Sequence, residues 1–237
     1  MVQERDILIP VAESTRRFVA TVRSLNDRQV AGETLVPPWT RGHVITHVAR
    51  ATDSLCRLLT WSRTGVETPQ YASMAARAAE IEAGAGRPVD ELVADVLDSA
   101  ARFEREVRSL PAAAWHAEVR MRTGELRTPA TLIPTRLREL EVHHADLAAG
   151  YSFADIPPDT ARWIIDDLVE ALRRRPDTPA LRVEATDTDL AHSLGSGTGP
   201  TVTGRQSDLL AWLTGRSPGT GLSASGTEGV PAAPFWI

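Results

Sequence analysis

Residues 136–147 read RLRELEVHHADL, and this stretch indicates more about the chain than any other. Glu139 and His143 lie four residues apart in a sequence that favours a helix. On an α-helix this spacing places the two side chains about 40° apart on one face, one turn from each other. A carboxylate and an imidazole in that arrangement can share one divalent metal ion. The stretch therefore predicts one side of a metal site built on a helix.

A second stretch, TRGHVITHVARA at residues 40–51, could supply a third ligand from another helix. It contains His43 and His47, which are also four residues apart, and His47 lies at the edge of its helix's apolar face. Glu139 and His143 flank the apolar face of their own helix in the same way. Helical bundles build metal sites from side chains on facing helices. Two histidines and one carboxylate, with one coordination position open, suit catalytic rather than structural zinc.

Spacing alone leaves several alternatives open. His144 lies about 140° from Glu139, in the middle of the apolar stripe, and Glu141 and His144 form a rival pair at i, i+3. A histidine beside an apolar face is more often a packed side chain than a ligand. Glu139 could also pair with a neighbouring arginine. The pattern therefore indicates a metal site without choosing its ligands.

The first two-thirds of the chain predict a bundle of amphipathic helices. The four long helices are expected at about residues 10–25, 41–61, 89–110 and 131–149, with a short one near 75–83. Thr40 is a good N-cap for the second of them. Gly150 is a natural residue just beyond the end of the last.

The composition changes after Gly150. A fifth helix, ARWIIDDLVEALRR, precedes short alternating segments rich in Gly and Thr, which indicate strands and turns. A helix over QSDLLAWLTGR and a loop-like tail from Gly221 follow. We predict a mainly α protein, with a metal-binding bundle at residues 1–155 and a small α+β domain at residues 156–237.

Composition excludes several classes of function. The net charge of −5 gives no electrostatic reason to bind nucleic acid or an anionic membrane. No apolar run approaches the roughly 20 residues of a membrane helix. The segment MVQERDILIPV carries charges where a signal peptide would be apolar. One cysteine excludes an internal disulfide, so a reducing cytoplasm is expected. The absence of Lys and the single Asn suggest a GC-rich bacterial genome.

Four other residues of types common in active sites are weaker candidates for a functional role. Cys56 follows His47 by nine residues, about 180° around the helix, and is predicted to be a core or boundary residue. His116 and His192 are isolated in predicted loops. Arg216 follows Gly215 just beyond a helix end, where it could pair with terminal carbonyls or reach an anionic ligand.

Five motifs together resemble the mycothiol-dependent maleylpyruvate isomerase family. They are PPWTRGHVITHVARA at 37–51, WSRTGVETPQY at 61–71, RLRELEVHHADL at 136–147, TGR at 214–216 and PAAPFWI at 231–237. The resemblance implies a DinB-like four-helix bundle followed by a sterol-carrier-like domain. The chain departs from the family where HVAR continues with Ala51, since the family often has Asn there, and where His143 is doubled by His144.

The resemblance also implies site residues and cofactors. It assigns one zinc ion to His47, Glu139 and His143, and it leaves His43 outside the ligand set. It implies that Arg216 closes over the active site to hold a substrate carboxylate or the developing enolate. Mycothiol is the thiol cofactor that the resemblance implies. Asp146 lies about 20° from Glu139 on the ligand face of the helix, so it is expected to orient a metal ligand or to bind this cofactor.

The implied reaction is the cis–trans isomerisation of maleylpyruvate to fumarylpyruvate in gentisate degradation. A thiolate adds to the electron-poor alkene, the resulting single bond rotates, and expulsion of the thiolate gives the trans product. Zinc would deprotonate the thiol. Two rivals remain: a mycothiol S-transferase that releases a stable adduct, and a non-enzymatic module that binds a ligand or lipid.

Overall fold

The computed structural model describes residues 8–234 of the chain. The chain divides into two compact units, one ending at Tyr151 and the other beginning at Ser152. Residues 1–7 and 235–237 lie outside the described residues. They include most of the segment MVQERDILIPV, whose charges argue against a signal peptide, and the end of the PAAPFWI motif. The predicted domain bounds, 1–155 and 156–237, stay a prediction.

Four long helices of the first unit pack as a bundle. Helix α3 contacts α5 and α6, and α1 contacts the same two helices, while the shorter α4 lies against α3. A 3-10 helix and a two-stranded hairpin connect α5 to α6. The bounds are α1 Leu8–Arg23, α2 Asp27–Val30, α3 Arg41–Thr64, α4 Met74–Ala85, α5 Val89–Arg108, the 3-10 helix Ala112–His116, β1 Val119–Arg120, β2 Leu126–Arg127 and α6 Pro129–Asp146.

Helix α3 begins where the sequence predicts it. Thr40 has extended backbone angles, as an N-cap does, and its backbone N–H donates to Nδ1 of His43 at 3.2 Å. Gly65 ends the helix in the left-handed conformation, with φ of 70°, and its N–H donates to the carbonyl of Trp61 at 2.8 Å. The helix therefore runs three residues further than the predicted end at Trp61.

Helix α6 is shifted towards the N-terminus from its predicted range, 131–149. It begins at Pro129, because the first helical position needs no N–H. It ends early because the Arg41 guanidinium donates to the carbonyls of Leu147 at 2.6 Å and Ala148 at 3.2 Å. Ala148 already has a positive φ of 47°. This contact also places the end of α6 beside the start of α3, so the two helices are antiparallel.

The second unit contains two helices and a mixed four-stranded sheet in the order β4-β3-β5-β6. Strands β3 and β5 are parallel, and the two outer pairs are antiparallel. The two helices pack on each other. The bounds are a 3-10 helix Phe153–Asp155, α7 Pro158–Arg173, β3 Leu181–Ala185, β4 Ala191–Leu194, β5 Thr201–Gly204, α8 Gln206–Leu213 and β6 Ser223–Ser225. The mainly α fold with a small mixed sheet is thus confirmed.

The prediction of a loop-like tail is wrong at strand β6. Ser223, Ala224 and Ser225 pair with residues 201–203 of β5. This strand lies at the edge of the sheet and is held by main-chain pairing, so it has no apolar alternation for the sequence to reveal. Within residues 8–234, no helix is long and apolar enough to cross a membrane.

Candidate metal centre

Three side chains from α3 and α6 converge on one point of the bundle. Nε2 of His47 lies 3.0 Å from Nε2 of His143, and each of these atoms lies 3.4 Å from Oε2 of Glu139. Metal–ligand bonds of about 2.0–2.1 Å in a tetrahedral site separate neighbouring ligand atoms by roughly 3.3 Å. The three donor atoms therefore already have the mutual distances of three ligands on one divalent ion.

The charges of two of these groups, His47 and Glu139, also suit a metal. Burial lowers the pKa of His47 to about 4, so its ring is neutral at neutral pH. Burial opposes ionisation of Glu139, yet its interactions with the neighbouring rings of His143 and His47 hold the pKa of that carboxyl well below its usual range. A neutral imidazole and an ionised carboxylate are the forms that bind zinc.

Asp146 fixes the orientation of His143. Its Oδ2 lies 2.8 Å from Nδ1 of His143, and the Asp146 side chain is fully buried. Together with Glu139, this carboxylate raises the pKa of His143 against the effect of burial. The contact favours a proton on Nδ1, which leaves Nε2 facing His47. This position supports the orienting role predicted for Asp146, while contact with a thiol cofactor stays a prediction.

The structure separates His43 from the converging residues. Nδ1 of His43 accepts from the backbone N–H of Thr40 at 3.2 Å, which places the ring proton on Nε2. Nε2 in turn lies 3.1 Å from Oε2 of Glu82. Both ring nitrogens are therefore engaged at the start of α3, one turn away from His47.

The rival pair, Glu141 and His144, lies in a network between α6 and α1. Glu141 is fully buried and accepts from Arg17 at 2.5 Å and from the Tyr151 hydroxyl. The His144 ring stacks on Tyr151 at 3.7 Å, and its Nε2 lies 2.7 Å from Oγ1 of Thr21. These contacts hold two helices together, which is a structural role.

Sequence reasoning missed three residues: Arg77 and Trp39, which contact His47, and Tyr71, which contacts Arg77. On α4, Arg77 Nη2 donates to Nδ1 of His47 at 3.2 Å. The Arg77 guanidinium carbon lies 5.9 Å from the Trp39 ring centre and 5.8 Å from that of Tyr71. Trp39 and Tyr71 stand within motifs that pointed to the family, so a signal existed for them. Arg77 stands outside every motif, and only the packing of α4 on α3 brings it to the site.

The remaining marked residues lie elsewhere. Cys56 is partly buried, and burial raises the pKa of its thiol to about 12. His192 pairs with Asp166 at 2.7 Å in the second unit. Arg216 donates to the carbonyl of Thr214 at 2.6 Å, which is one of the two contacts that the sequence predicts for it. Its role as an anion-binding residue stays a prediction.

Comparison with known families gives this geometry its context. The family model described as the mycothiol maleylpyruvate isomerase N-terminal domain matches residues 11–148, which is more than half of the chain. The chain belongs to the mycothiol maleylpyruvate isomerase family. The MDMPI C-terminal domain model matches residues 155–233. The predicted family membership is thus confirmed, and with it the assignment to the isomerase class of enzymes.

Two solved structures resemble the whole chain. One is a mycothiol-dependent maleylpyruvate isomerase, and the other is a histidine-to-alanine mutant of an enzyme of that name. Each is 26% identical to this chain and superposes with a TM-score of 0.90. The match covers 98% of this chain and 97% of the other. No protein in a search of curated sequences matches significantly.

Proposed function

We propose that this protein is a zinc- and mycothiol-dependent isomerase that converts maleylpyruvate to fumarylpyruvate in gentisate degradation. The observation that carries the proposal is the convergence of His47, Glu139 and His143 in a chain of this family. Their donor atoms lie 3.0–3.4 Å apart, and a tetrahedral ion held by them would keep one position open. A zinc ion there would supply a deprotonated thiol at neutral pH, able to add reversibly to an electron-poor alkene.

The protein's own residues would hold this site in a fixed geometry. His47 and His143 come from facing antiparallel helices, so the bundle core sets the separation of their rings. Asp146 keeps Nε2 of His143 directed at the centre. Glu139 would contribute one negative charge, which offsets part of the charge of a divalent ion. We assign Arg216 to a substrate carboxylate or enolate on the family resemblance alone.

The chain's only cysteine gives further support for a borrowed thiol. Cys56 lies nine residues after His47 on α3, and burial raises its pKa to about 12. A thiol with so high a pKa, on the opposite side of α3 from His47, is poorly suited to act as the nucleophile. A thiol-dependent reaction at this centre therefore requires a thiol from outside the chain.

The loss of maleylpyruvate absorbance tests this proposal. Zinc-loaded protein should convert maleylpyruvate with mycothiol, more slowly with glutathione, and not at all without a thiol. The Glu139→Ala variant tests the role of the metal centre, because it removes one proposed ligand and leaves Cys56 and the rest of the bundle in place. Turnover that needs no thiol, or that the Glu139→Ala protein retains in full, would overturn the proposal.

A further inference from the structure

Arg77 lies beside the candidate metal centre, and no carboxylate in the described part of the chain pairs with it. Its polar contacts with the described residues are the donation from Nη2 to Nδ1 of His47 at 3.2 Å and a side-chain hydrogen bond to Tyr71, and its Nε is buried without an acceptor. The same unit pairs other arginines with carboxylates: both Arg50 and Arg102 contact Asp53. A guanidinium carries five N–H donors and no acceptor, so several of the Arg77 donors have no acceptor within residues 8–234.

Two aromatic rings hold Arg77 in this place. Its guanidinium carbon lies within 6 Å of the ring centres of Trp39 and Tyr71. The Trp39 ring also packs against the His47 ring, with centres 5.2 Å apart. Aromatic faces attract a cation without satisfying its N–H groups. The rings therefore position a positive charge next to a proposed metal ligand and leave several of its N–H donors available.

The contact with His47 is incompatible with a metal on that ring. A neutral imidazole has one N–H group, and arginine can only donate, so Nδ1 accepts in this contact and the ring proton is on Nε2. A metal at Nε2 requires the ring proton on Nδ1 instead. Two N–H donors would then face each other at 3.2 Å. Metal binding at His47 must therefore displace the Arg77 guanidinium from Nδ1.

We propose that Arg77 is a carboxylate-binding residue of the active site, freed for that role when zinc occupies Nε2 of His47. The planar fork of arginine matches a carboxylate through two parallel hydrogen bonds. The aromatic rings would keep the freed guanidinium near the metal centre. The identity of the ligand, a small dicarboxylate, rests on the proposed function. The displacement of Arg77 from His47 by zinc does not rest on that function.

Two affinities measured on the full-length protein test this inference. One is the affinity for zinc, from competition with a coloured chelator. The other is the affinity for succinate, a dicarboxylate with no alkene that could react with a thiol. Arg77→Met removes the charge and the donors, and Arg77→Lys keeps the charge without the fork. Arg105→Met, which removes an exposed arginine of α5, is the control for net charge.

Arg77→Met should change the two affinities in opposite directions. Zinc should bind about 5- to 10-fold tighter, because a competing charged hydrogen bond is gone. Succinate should bind the zinc-loaded form at least about 10-fold more weakly, because a pair of charge-assisted hydrogen bonds to one carboxylate is lost. In the zinc-free form, where Arg77 is held by His47, the succinate affinities of the wild type and the variant should differ much less. Arg105→Met should change neither affinity.

Unchanged or weaker zinc binding by Arg77→Met would overturn the inference. An equal loss of succinate affinity with and without zinc would overturn it as well. Circular dichroism checks that the variants are folded. If Arg77→Met does not fold, Arg77→Lys provides the test, because a wild-type succinate affinity in Arg77→Lys would exclude a forked contact. A protein that shows both binding effects but no isomerase activity would refute the proposed function and leave this inference intact.

Discussion

Nδ1 of His143 lies 2.8 Å from Oδ2 of Asp146, three residues later on the same helix. The carboxylate is fully buried, so water does not compete for this contact. It directs Nε2 of His143 towards Glu139 and His47. The geometry of the whole centre therefore depends on a residue that is not itself among the converging three.

Asp146→Asn should weaken zinc binding by about 10- to 100-fold, the usual effect of losing the partner of a metal-binding histidine. The amide keeps the shape of the side chain but lacks the negative charge that favours a proton on Nδ1. Competition with a chelator measures the affinity. Asp166→Asn, which alters the carboxylate beside His192 in the second unit, is the matched control. Equal zinc affinity in the Asp146 and Asp166 variants would refute the orienting role.

His43 and His47 differ in what they contact, and their alanine variants should differ accordingly. His47→Ala should lose the bound zinc, whereas His43→Ala should keep about one zinc per chain. His43→Ala should instead lower the free energy of unfolding by roughly 1 kcal/mol, because it removes a cap interaction at the start of α3. Elemental analysis and urea denaturation give the two quantities. Zinc loss from the His43 variant alone would reverse the assignment.

The buried network at Glu141 should affect stability without affecting the metal. Glu141→Gln leaves Arg17 without its ionised partner and weakens the contact with Tyr151. We expect a loss of roughly 1–3 kcal/mol in the free energy of unfolding, since Arg17 is partly exposed and water can compensate in part. The zinc content should remain that of the wild type. A Glu141→Gln protein that unfolds normally but lacks zinc would restore this residue as a ligand candidate.

Arg136 has a fully buried guanidinium with no hydrogen-bond partner among residues 8–234. Burial lowers its pKa to about 10, so it remains charged at neutral pH. Replacing a buried ion pair with apolar side chains is often neutral or stabilises a protein by about 1–4 kcal/mol, and a buried charge without a hydrogen-bond partner has less to offset its desolvation. Arg136→Met should therefore raise the midpoint of urea unfolding. A clear loss of stability would indicate that the guanidinium has bound water or another partner in solution.

Local sequence signals predicted the parts of the fold that local interactions determine. Thr40 marks the start of α3, and the helical spacing of apolar residues predicts the long helices. Long-range contacts set the rest. Arg41 binds the carbonyls after α6 from 106 residues away, and this ends the helix before its predicted limit. Strand β6 has only small residues and is defined by main-chain pairing with β5. Its sequence therefore has no alternation of apolar and polar residues that would predict a strand.

The same distinction applies to the candidate site. Spacing identified Glu139 with His143 and offered His43 or His47, but it could not rank Glu139 against Glu141, since both lie on plausible faces of one helix. Tertiary contacts distinguish them, because Glu141 pairs with Arg17 on α1. Arg77 comes from α4, whose position beside His47 depends on packing between helices and leaves no mark in the sequence.

The most direct test of the central claim is the reaction with less mycothiol than substrate. Zinc-loaded protein would receive excess maleylpyruvate and a tenth as much mycothiol, with substrate, product and free thiol followed together. An isomerase regenerates the thiol in every cycle, so all of the maleylpyruvate should become fumarylpyruvate while the free thiol returns to its starting amount. Conversion that stops when the mycothiol is used up, with a stable adduct as the product, would contradict the account and identify an S-transferase.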